Sequence, residues 1–510
     1  MTPTPVNGLQ RRSGSGSVVL TLVSVLFFAV VCGLAIVVLP QRLSIGLSGV
    51  VVLTVMGIAA GFAPAIRTIP SKTLAWGLTI ALVFYFIWPR NVFLPIAALP
   101  VKHPQRLVYL LFLAYAIFIM FKCKPAREQM VAGLRAVPWL SGLWAAMAVW
   151  EVLSLLTAEY SLLLVGGWFV DLLVVTALYP LMLMCCPTLN DLRRLMWGLL
   201  AAAAVNVLFA VPETLLQRNL FERFITLEYL DPETARQIIE AKVRGGQFRA
   251  QAAFDHPLLF AEYLAVCLPM AGAFVLRGGR GRWLAGGLVF WLLGGLYLSH
   301  SRVAIVATVL VGVAMFAALV LRGAQAGRRN PWPLIAALFA LPLVLFSAVL
   351  ATDVVQNVTV GRTASEASST SARLQMLSAG SRLVMEQPIL GYGPGMAGRT
   401  LNFQNTFGVM TLDNYMLKVA LDSGLPALLL FVLLLLAMAW RALSIAVRTL
   451  EPQVAYLALA AFGAVAAFAP IKLVLGTGLN NILLPILMAS IALIALKFED
   501  GIALRTASFR

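Results

Sequence analysis

The sequence predicts an all-α protein that crosses a lipid membrane with about twelve to fourteen helices and carries two long loops on one side. Three observations support this fold class. Of the 510 residues, 61% are hydrophobic and 12% are charged, whereas a soluble globular chain carries roughly 25% charged residues. The apolar residues form long runs, of the roughly 17 to 25 residues that a helix needs to cross a bilayer. Basic residues recur in alternate short loops between these runs, as membrane topology requires.

The positive charge of the chain belongs to its loops. The formal net charge is +17, which in a soluble protein would suggest a nucleic-acid partner. Here the basic residues stand in short clusters between apolar runs, so we exclude nucleic acid. The five cysteines lie in or beside apolar runs without metal-ligand spacing. We therefore expect them to be packing residues, and we expect no metal site and no cofactor.

About fourteen apolar runs are candidate spans. Residues 1–17 are polar and basic, and the run after them is too long for a cleaved signal peptide, so we expect a cytoplasmic tail there. The spans are predicted at about 18–39, 44–65, 73–88, 107–121, 138–157, 162–186, 195–211, 257–276, 283–299, 303–321, 332–351, 414–440, 455–475 and 480–497. Residues 498–510 are predicted to be a second tail.

Basic residues decide the predicted orientation. They concentrate in alternate loops, from Arg11 and Arg12 at the start of the chain to Arg505 and Arg510 at its end. Because cytoplasmic loops are enriched in Lys and Arg, both termini are predicted to be cytoplasmic. The two long loops then fall on the outer side. The resulting segments are a bundle at 18–211, a loop at 212–256, helices at 257–351, a larger and catalytic loop at 352–412, and helices at 413–497.

Both outer loops are predicted to contain a helix. In the first loop, a helix begins at Asp231 and ends before Gly245. In the second loop, residues 361–371 are predicted to be a polar linker and residues 372–385 a helix. The glycine-rich segment Gly391–Gly395 is predicted to be a turn of high backbone freedom.

The chemistry of the chain is expected at this outer face, because the sequence has no P-loop or other signature of a soluble enzyme. Three polar motifs open helices that start outside: Phe254–Pro257, Ser299–Arg302 and Asp413–Tyr415. Helix N-termini present backbone N–H groups that suit an anion. Together with outer arginines they predict a phosphate or pyrophosphate site. The arginines are Arg249, Arg302, Arg373 and Arg382.

The sequence leaves a structural alternative open for each candidate. Asp255 and Asp413 are candidates for chemistry or for plain N-caps. His256 and His300 are bases or ordinary interfacial residues, and Arg302 binds the anion or snorkels at the end of its span. The acids within or near spans are functional or form ion pairs that hold the bundle. These acids are Glu151, Asp171 and Glu262.

Arg373 and Arg382 are nine residues apart, which places them about 180° apart on a straight helix. They can contact one phosphate together only if that helix breaks. Gly380 is the expected break.

Four segments, in this order, resemble the O-antigen ligase and O-antigen polymerase superfamily of bacterial cell-surface polysaccharide enzymes. They are FDHPLLFAEYLAVCLPM at 254–270, LYLSHSR at 296–302, RLVMEQPILGYGPG at 382–395 and DNYMLKVALDSGLPALLL at 413–430. The stretch from Arg382 to Gly393 fits the family's pattern of an arginine, ten residues and a glycine. The resemblance covers roughly the C-terminal half of the chain.

The resemblance implies a metal-independent, inverting glycosyltransferase of the bacterial inner membrane, with a fold related to the lipid-linked-sugar transferases. Its donor would be a glycan on undecaprenyl pyrophosphate and its acceptor a sugar, meeting at the periplasmic face. Membrane lipid, a flippase and a chain-length regulator would be its other partners. The implied pyrophosphate ligands are Arg302 and Arg382, with Arg249 and Arg373 as weaker candidates. The implied turn and acceptor residues are Gly391, Gly393, Asn414 and Tyr415.

One departure from the family concerns the general base. The family often has a histidine before the asparagine where this chain has Asp413. An aspartate at an N-cap is a weak base, so either Asp413 only orients the acceptor or His256 or Glu262 takes the proton. The departure favours a polymerase over a ligase that transfers finished chains to a lipid A-core acceptor. A transporter of lipid-linked oligosaccharides is the remaining alternative, although the sequence shows no inverted repeat.

Overall fold

Helices account for nearly all of the structure. The computed structural model describes residues 65–93, 103–158, 162–225, 242–244, 247–279, 281–326, 364–403, 412–476, 478 and 480–508. The α-helices in these ranges are α1 (Ser71–Ile87), α2 (Pro104–Lys122), α3 (Lys124–Ala136), α4 (Pro138–Leu153), α5 (Leu162–Cys185), α6 (Leu189–Leu216), α7 (Pro257–Arg277), α8 (Arg282–Leu298), α9 (Arg302–Ala326), α10 (Ala364–Glu386), α11 (Ala397–Leu401), α12 (Tyr415–Arg448), α13 (Pro452–Ile471) and α14 (Leu483–Ser508). Short 3-10 turns lie at Ser154–Thr157 and Glu222–Phe224, and a two-stranded antiparallel ladder pairs β1 (Val243–Arg244) with β2 (Gln247–Phe248).

Proline marks the first turn of several helices. Pro104, Pro138, Pro257 and Pro452 are the first residues of α2, α4, α7 and α13. Proline is favoured there because its missing N–H would have no intrahelical partner and its φ angle already suits a helix. The local sequence therefore determines where these helices begin.

The predicted spans agree with the helices wherever the structure describes them. Among the described residues, seven helical segments are long and apolar enough to cross a membrane, so the chain is an all-α, multi-pass membrane protein. These segments are Pro104–Lys122, Pro138–Thr157, Leu189–Leu216, Pro257–Arg277, Arg302–Gly323, Tyr415–Arg448 and Pro452–Ile471. The predicted spans at 18–39, 44–65 and 332–351, and the helix expected from Asp231, lie outside the described residues.

Two helices differ from the prediction. The basic loop after α2 contains the helix α3, which packs against α5 and α14. A search for apolar runs misses α3 because its composition is polar. The helix α10 begins at Ala364, so the linker predicted for residues 361–371 is wrong from Ala364 onward. Small Ala and Ser residues fill that first part, and Ala favours a helix strongly enough to extend it.

The helix α7 forms the centre of the bundle. Almost all of its residues are buried, and it packs against α6, α8, α9 and α13. The helix α12 packs beside it on α4, α9, α10 and α13. The polar motifs that open α7, α9 and α12 therefore belong to neighbouring helices.

Helix ends that were predicted to share a side of the membrane contact one another. At one end, Arg322 donates a 2.7 Å hydrogen bond to the carbonyl of Ala446, and Arg441 forms a 2.6 Å ion pair with Glu499. At the other end, the backbone N–H of Tyr415 donates to Lys472 O and that of Ala250 to Leu298 O. We call this second end the loop-bearing end. It comprises residues 242–244, 247–256, 299–302, 387–397, 412–415, 472–476, 478 and 480–481.

Candidate active site

The glycine-rich turn after α10 docks into a break in α12. The break lies at Gly424, which has a φ of 81° and a ψ of 175°. Pro426 has no N–H, and the N–H of Leu425 bonds to Pro388 O, so the carbonyls of Leu421 and Asp422 lose their helical partners. The turn supplies replacements: Tyr392 N donates to Leu421 O at 2.8 Å, and Gly393 N donates to Asp422 O at 2.9 Å.

Glycine is required on both sides of this docked contact. Gly391 has a φ of 67°, and a Cβ there would lie 2.5 Å from the carbonyl oxygen of Leu421. A Cβ on Gly424 would collide with the carbonyl oxygen of Ile389. These backbone conformations strongly favour glycine. The turn Gly391–Gly395 and the break in α12 are thus one fitted unit.

The carboxylate of Asp422 completes this unit. It accepts a 2.7 Å hydrogen bond from the N–H of Ala397, at the start of α11, and its other oxygen lies 3.5 Å from Lys418 Nζ. From the opposite side, the indole of Trp150 in α4 donates to Ser423 O at 2.9 Å. The segment after α10 is therefore held to α12 by backbone hydrogen bonds and by the Asp422 carboxylate.

The helix α10 lies close to the start of α12 and carries Arg382. Gly380 allows this approach, since a Cβ there would lie 2.6 Å from Leu417 Cδ2. The helix continues through Gly380 without a break, so the break expected there is wrong: glycine serves close packing at this position. Arg382 follows two residues later and is exposed. The side chain of Arg373 lies outside the described residues.

The start of α12 is capped by Asn414 and not by Asp413. The Asn414 side chain accepts a 3.0 Å hydrogen bond from the N–H of Leu417. Asp413 is the preceding, partly buried residue. The N-cap interpretation of Asp413 is therefore wrong, and the argument that a cap position weakens it as a base no longer applies.

The start of α7 is capped by His256 and not by Asp255. His256 Nδ1 accepts a 3.1 Å hydrogen bond from the N–H of Leu258. Burial, together with the nearby Arg249 and Lys242, lowers the pKa of His256 to about 3. His256 is thus neutral at physiological pH. Since Nδ1 is the acceptor, the proton resides on Nε2, and His256 is poorly placed to take a proton from a substrate.

Two polar residues of α6 hold the segment that precedes α7. Glu213 is fully buried, and its Oε2 accepts hydrogen bonds from the N–H groups of Gln251 (2.9 Å) and Ala252 (2.8 Å). Asn206, also fully buried, accepts a 3.2 Å bond from Ala253 N. Buried backbone groups need such partners. The motif at Phe254–Pro257 is therefore held against the bundle.

Arg249 joins this segment to the start of α9. Its Nε donates a 3.2 Å hydrogen bond to the carbonyl of Ser299. Burial lowers the pKa of the neighbouring His300, and Arg249 lowers it further. The buried Ser301 accepts a 3.4 Å bond from Ala304 N and so caps α9, and Arg302 is the first residue of that helix. Arg249 and Arg302 thus approach the same helix N-terminus.

Glu262 is enclosed in a buried network that the sequence only partly indicated. It forms a 2.8 Å ion pair with Lys472, and neither side chain has any exposed surface. Asn480 donates to Glu262 Oε2 at 2.9 Å and accepts from Arg90 at 2.9 Å. Lys472 and Arg90 were missed as candidates. Arg90 stands in an outer loop predicted to hold few basic residues, the same signal that singled out Arg302, and Lys472 is a charged residue within the predicted span 455–475.

The other predicted site residues belong to the docked turn, to the start of α12, and to α4 and α5. Gly393 lies in the docked turn, with Ala158 directly beside it. Tyr415 packs against Lys472, with the ammonium 5.1 Å from the ring centroid. Glu151 lies on α4, close to Asp422 and Lys418. Asp171 belongs to α5, and its side chain lies outside the described residues.

Residues 287–432 match the family model described as O-antigen ligase. The matched segment, 146 of the 510 residues, is similar to the O-antigen ligase family. The matched segment begins in α8 and ends in α12, so it contains Arg302, Arg382, the docked turn and Asn414. The resemblance to the O-antigen ligase and polymerase superfamily is confirmed. A comparison with curated proteins finds no match.

Proposed function

We propose that the chain is a membrane glycosyltransferase that moves a glycan from undecaprenyl pyrophosphate to a sugar acceptor at the periplasmic face of the bacterial inner membrane. Its product is a lengthened exopolysaccharide or O-antigen chain. The observation that carries this proposal is the O-antigen ligase match over residues 287–432, which includes Arg302, Arg382 and Asn414. Arg302 begins α9, and Asn414 caps the start of α12. Arg382 lies on α10, which packs against α12.

Electrostatics support a pyrophosphate ligand at the loop-bearing end. The N-termini of α7, α9 and α12 are capped there, and helix N-termini favour anions. Arg249 donates to the carbonyl of Ser299, three residues before Arg302. Guanidinium groups bind phosphate oxygens in a bidentate manner. Because such groups can neutralise a diphosphate, we propose that the transfer reaction needs no metal ion.

The proposed reaction is a single displacement. A hydroxyl oxygen of the acceptor attacks the anomeric carbon of the donor sugar from the face opposite the pyrophosphate. The bond between that carbon and the pyrophosphate oxygen breaks, the electron pair leaves with the diphosphate, and the configuration inverts. Arg302 and Arg382 stabilise the charge that develops on the leaving group, with Arg249 as a further ligand. Because α10 has no break at Gly380, Arg373 is left out of this set.

The acceptor proton passes to Asp413 in this proposal. His256 uses Nδ1 as a helix cap, and Glu262 is enclosed in an ion pair. Asp413 precedes the cap Asn414 at the start of α12, beside the helix that carries Arg382. We propose that Asn414 and Tyr415 orient the acceptor, and that Gly391 and Gly393 hold the turn that supports the donor site.

A ligase is the second candidate, and the description of the matching family favours it. In this reading the donor is a finished chain on undecaprenyl pyrophosphate, and the acceptor is lipid A-core. The chemistry at the anomeric carbon would be the same. The two functions differ in the length of the donor glycan and in the acceptor.

Deleting the gene and sizing the lipid-linked and surface glycans will distinguish these functions. We expect long chains to disappear while single lipid-linked repeats remain, which is the result for a polymerase. Long chains that persist on undecaprenol but are absent from the outer acceptor would identify a ligase. An unchanged size distribution of both glycan pools would contradict both functions. Re-expression of the intact chain is the control.

A further inference from the structure

A buried ion pair connects two of the motifs at the loop-bearing end. Glu262 of α7 and Lys472, which follows α13, are 2.8 Å apart and have no exposed surface. Asn480 Nδ2 donates 2.9 Å hydrogen bonds to Glu262 Oε2 and to the carbonyl of Leu259. The pair is therefore enclosed between α7 and the segment that joins α13 to α14.

On one side, this network reaches the start of α12. The Lys472 ammonium lies 5.1 Å from the centre of the Tyr415 ring, and the Lys472 carbonyl accepts a 2.9 Å bond from Tyr415 N. Asn481 donates a hydrogen bond to the Tyr415 hydroxyl. The residues around Asn414 are consequently held by the segment at 472–481.

On the other side, the network reaches the motif before α7. Arg90 donates a 2.9 Å bond to Asn480 Oδ1, and its guanidinium lies 5.3 Å from the centre of the Phe254 ring. The N–H of Arg90 also donates to Ala253 O at 3.1 Å. A continuous series of contacts therefore runs from Tyr415 through Lys472, Glu262 and Asn480 to Arg90 and Phe254.

We propose that the Glu262–Lys472 pair is a positioning element that fixes the start of α12 relative to α7, and that Glu262 takes no proton from the acceptor. Removing two charges from water costs free energy. A protein with a buried ion pair is therefore often no more stable than one with apolar residues of the same volume in its place. Specific placement of a neighbouring group is a function that such a pair can serve. The inference rests on the proposed glycan transfer, since it concerns the geometry of that site.

The test compares Glu262→Gln, Lys472→Met and the double variant that combines them. Each protein is purified in detergent, and its melting temperature is measured. The transfer rate is then measured with lipid-linked glycan extracted from the deletion strain. Each single variant leaves one buried charge without its partner, so we expect a fall in melting temperature of about 5 °C or more. Misplacement of the start of α12 should reduce the rate about a hundredfold.

The double variant decides between positioning and proton transfer. Gln and Met fill similar volumes without charge, so we expect the double variant to regain the parent's melting temperature. Its rate should stay low, because the pair no longer fixes the start of α12, but its pH profile should superimpose on that of the parent. A double variant whose remaining activity loses the parent's pH dependence, or one that reacts as fast as the parent, would overturn the proposal. So would single variants that melt and react like the parent.

Two further variants complete the design. Asn481→Leu removes the hydrogen bond to Tyr415 without changing any charge, so it remains informative if the double variant does not fold. We expect a normal melting temperature and a lower rate with an unchanged KM for the donor; an unchanged rate would overturn the positioning role. Glu499→Gln breaks the half-exposed pair with Arg441 at the opposite end and should react like the parent. If the parent itself transfers no glycan, the proposed function fails, while the melting temperatures still report on the pair.

Discussion

Replacement of Arg382 by alanine should abolish polysaccharide assembly without lowering the amount of protein. Arg382 is exposed on α10, and that helix packs through Gly380 on the start of α12. An exposed side chain contributes little to folding, so its loss should affect chemistry alone. Removing one group that stabilises developing negative charge typically lowers kcat by about 100- to 1,000-fold. The glycans of the deletion strain carrying each variant will be sized on gels, with protein measured by immunoblot.

Arg399→Ala is the matched control for Arg382→Ala. Arg399 is also exposed and lies on α11 in the same outer segment, so its replacement removes the same charge from the same loop. We expect long chains to persist in this control. Long chains in the Arg382→Ala strain would remove Arg382 from the pyrophosphate site.

Arg302→Ala should give the same loss, because Arg302 opens α9, three residues after the Ser299 carbonyl that Arg249 binds. The control on the same helix is Arg322→Ala. Arg322 lies at the opposite end of α9, where it donates to Ala446 O. A comparable loss in both variants would indicate that α9 tolerates no change of charge, and the assignment of Arg302 would lose its support.

Gly424→Ala should have the largest effect on stability. Gly424 has a positive φ, and a Cβ there would collide with the carbonyl oxygen of Ile389 in the docked segment. Backbone strain and overpacking together should destabilise the protein by roughly 2 to 6 kcal/mol. We expect a lower melting temperature in detergent and a loss of long chains, since the turn after Arg382 can no longer dock.

Gly398→Ala provides the control for this substitution. Gly398 lies on α11 in the same segment, and a Cβ there would meet no atom of the described residues within 4 Å. Its melting temperature should equal that of the parent or rise slightly, because alanine favours a helix. A normal melting temperature for Gly424→Ala would show that the docked turn does not require glycine.

The helices of the bundle could be predicted from the sequence because hydrophobic length depends on the bilayer alone. Each described span appeared as an apolar run that needed no knowledge of its neighbours. The helix α3 could not be found this way, because its polar composition resembles a loop and its stability depends on packing against α5 and α14. Similarly, the first part of α10 looked like a linker because it lacks apolar residues.

The sequence predicted which motifs form the candidate site, but it did not predict what each residue within a motif does. Asp255 and Asp413 were candidates for chemistry or for N-caps on the basis of residue type, yet His256 and Asn414 accept the capping hydrogen bonds. A one-residue shift is invisible to sequence patterns, because each motif contains several residues that can cap a helix. The role of Gly380 also depended on a partner, Leu417, on another helix.

The partners of Glu262 were the least predictable feature. Its position inside a span indicated either function or an ion pair, and the sequence could not choose between them. Lys472 lies about two hundred residues away, so the pair exists only through the contact of α7 with the end of α13. Tertiary packing therefore supplies the information that changes the interpretation of Glu262.

Reconstitution tests the central claim most directly. The purified protein would be placed in proteoliposomes with lipid-linked glycan from the deletion strain and an acceptor glycan, without any other protein. We expect a longer glycan or a glycosylated acceptor to form, with release of an equal amount of undecaprenyl pyrophosphate, and neither product with Arg382→Ala. Movement of the lipid-linked glycan across the bilayer without a new glycosidic bond would contradict the account and identify a transporter.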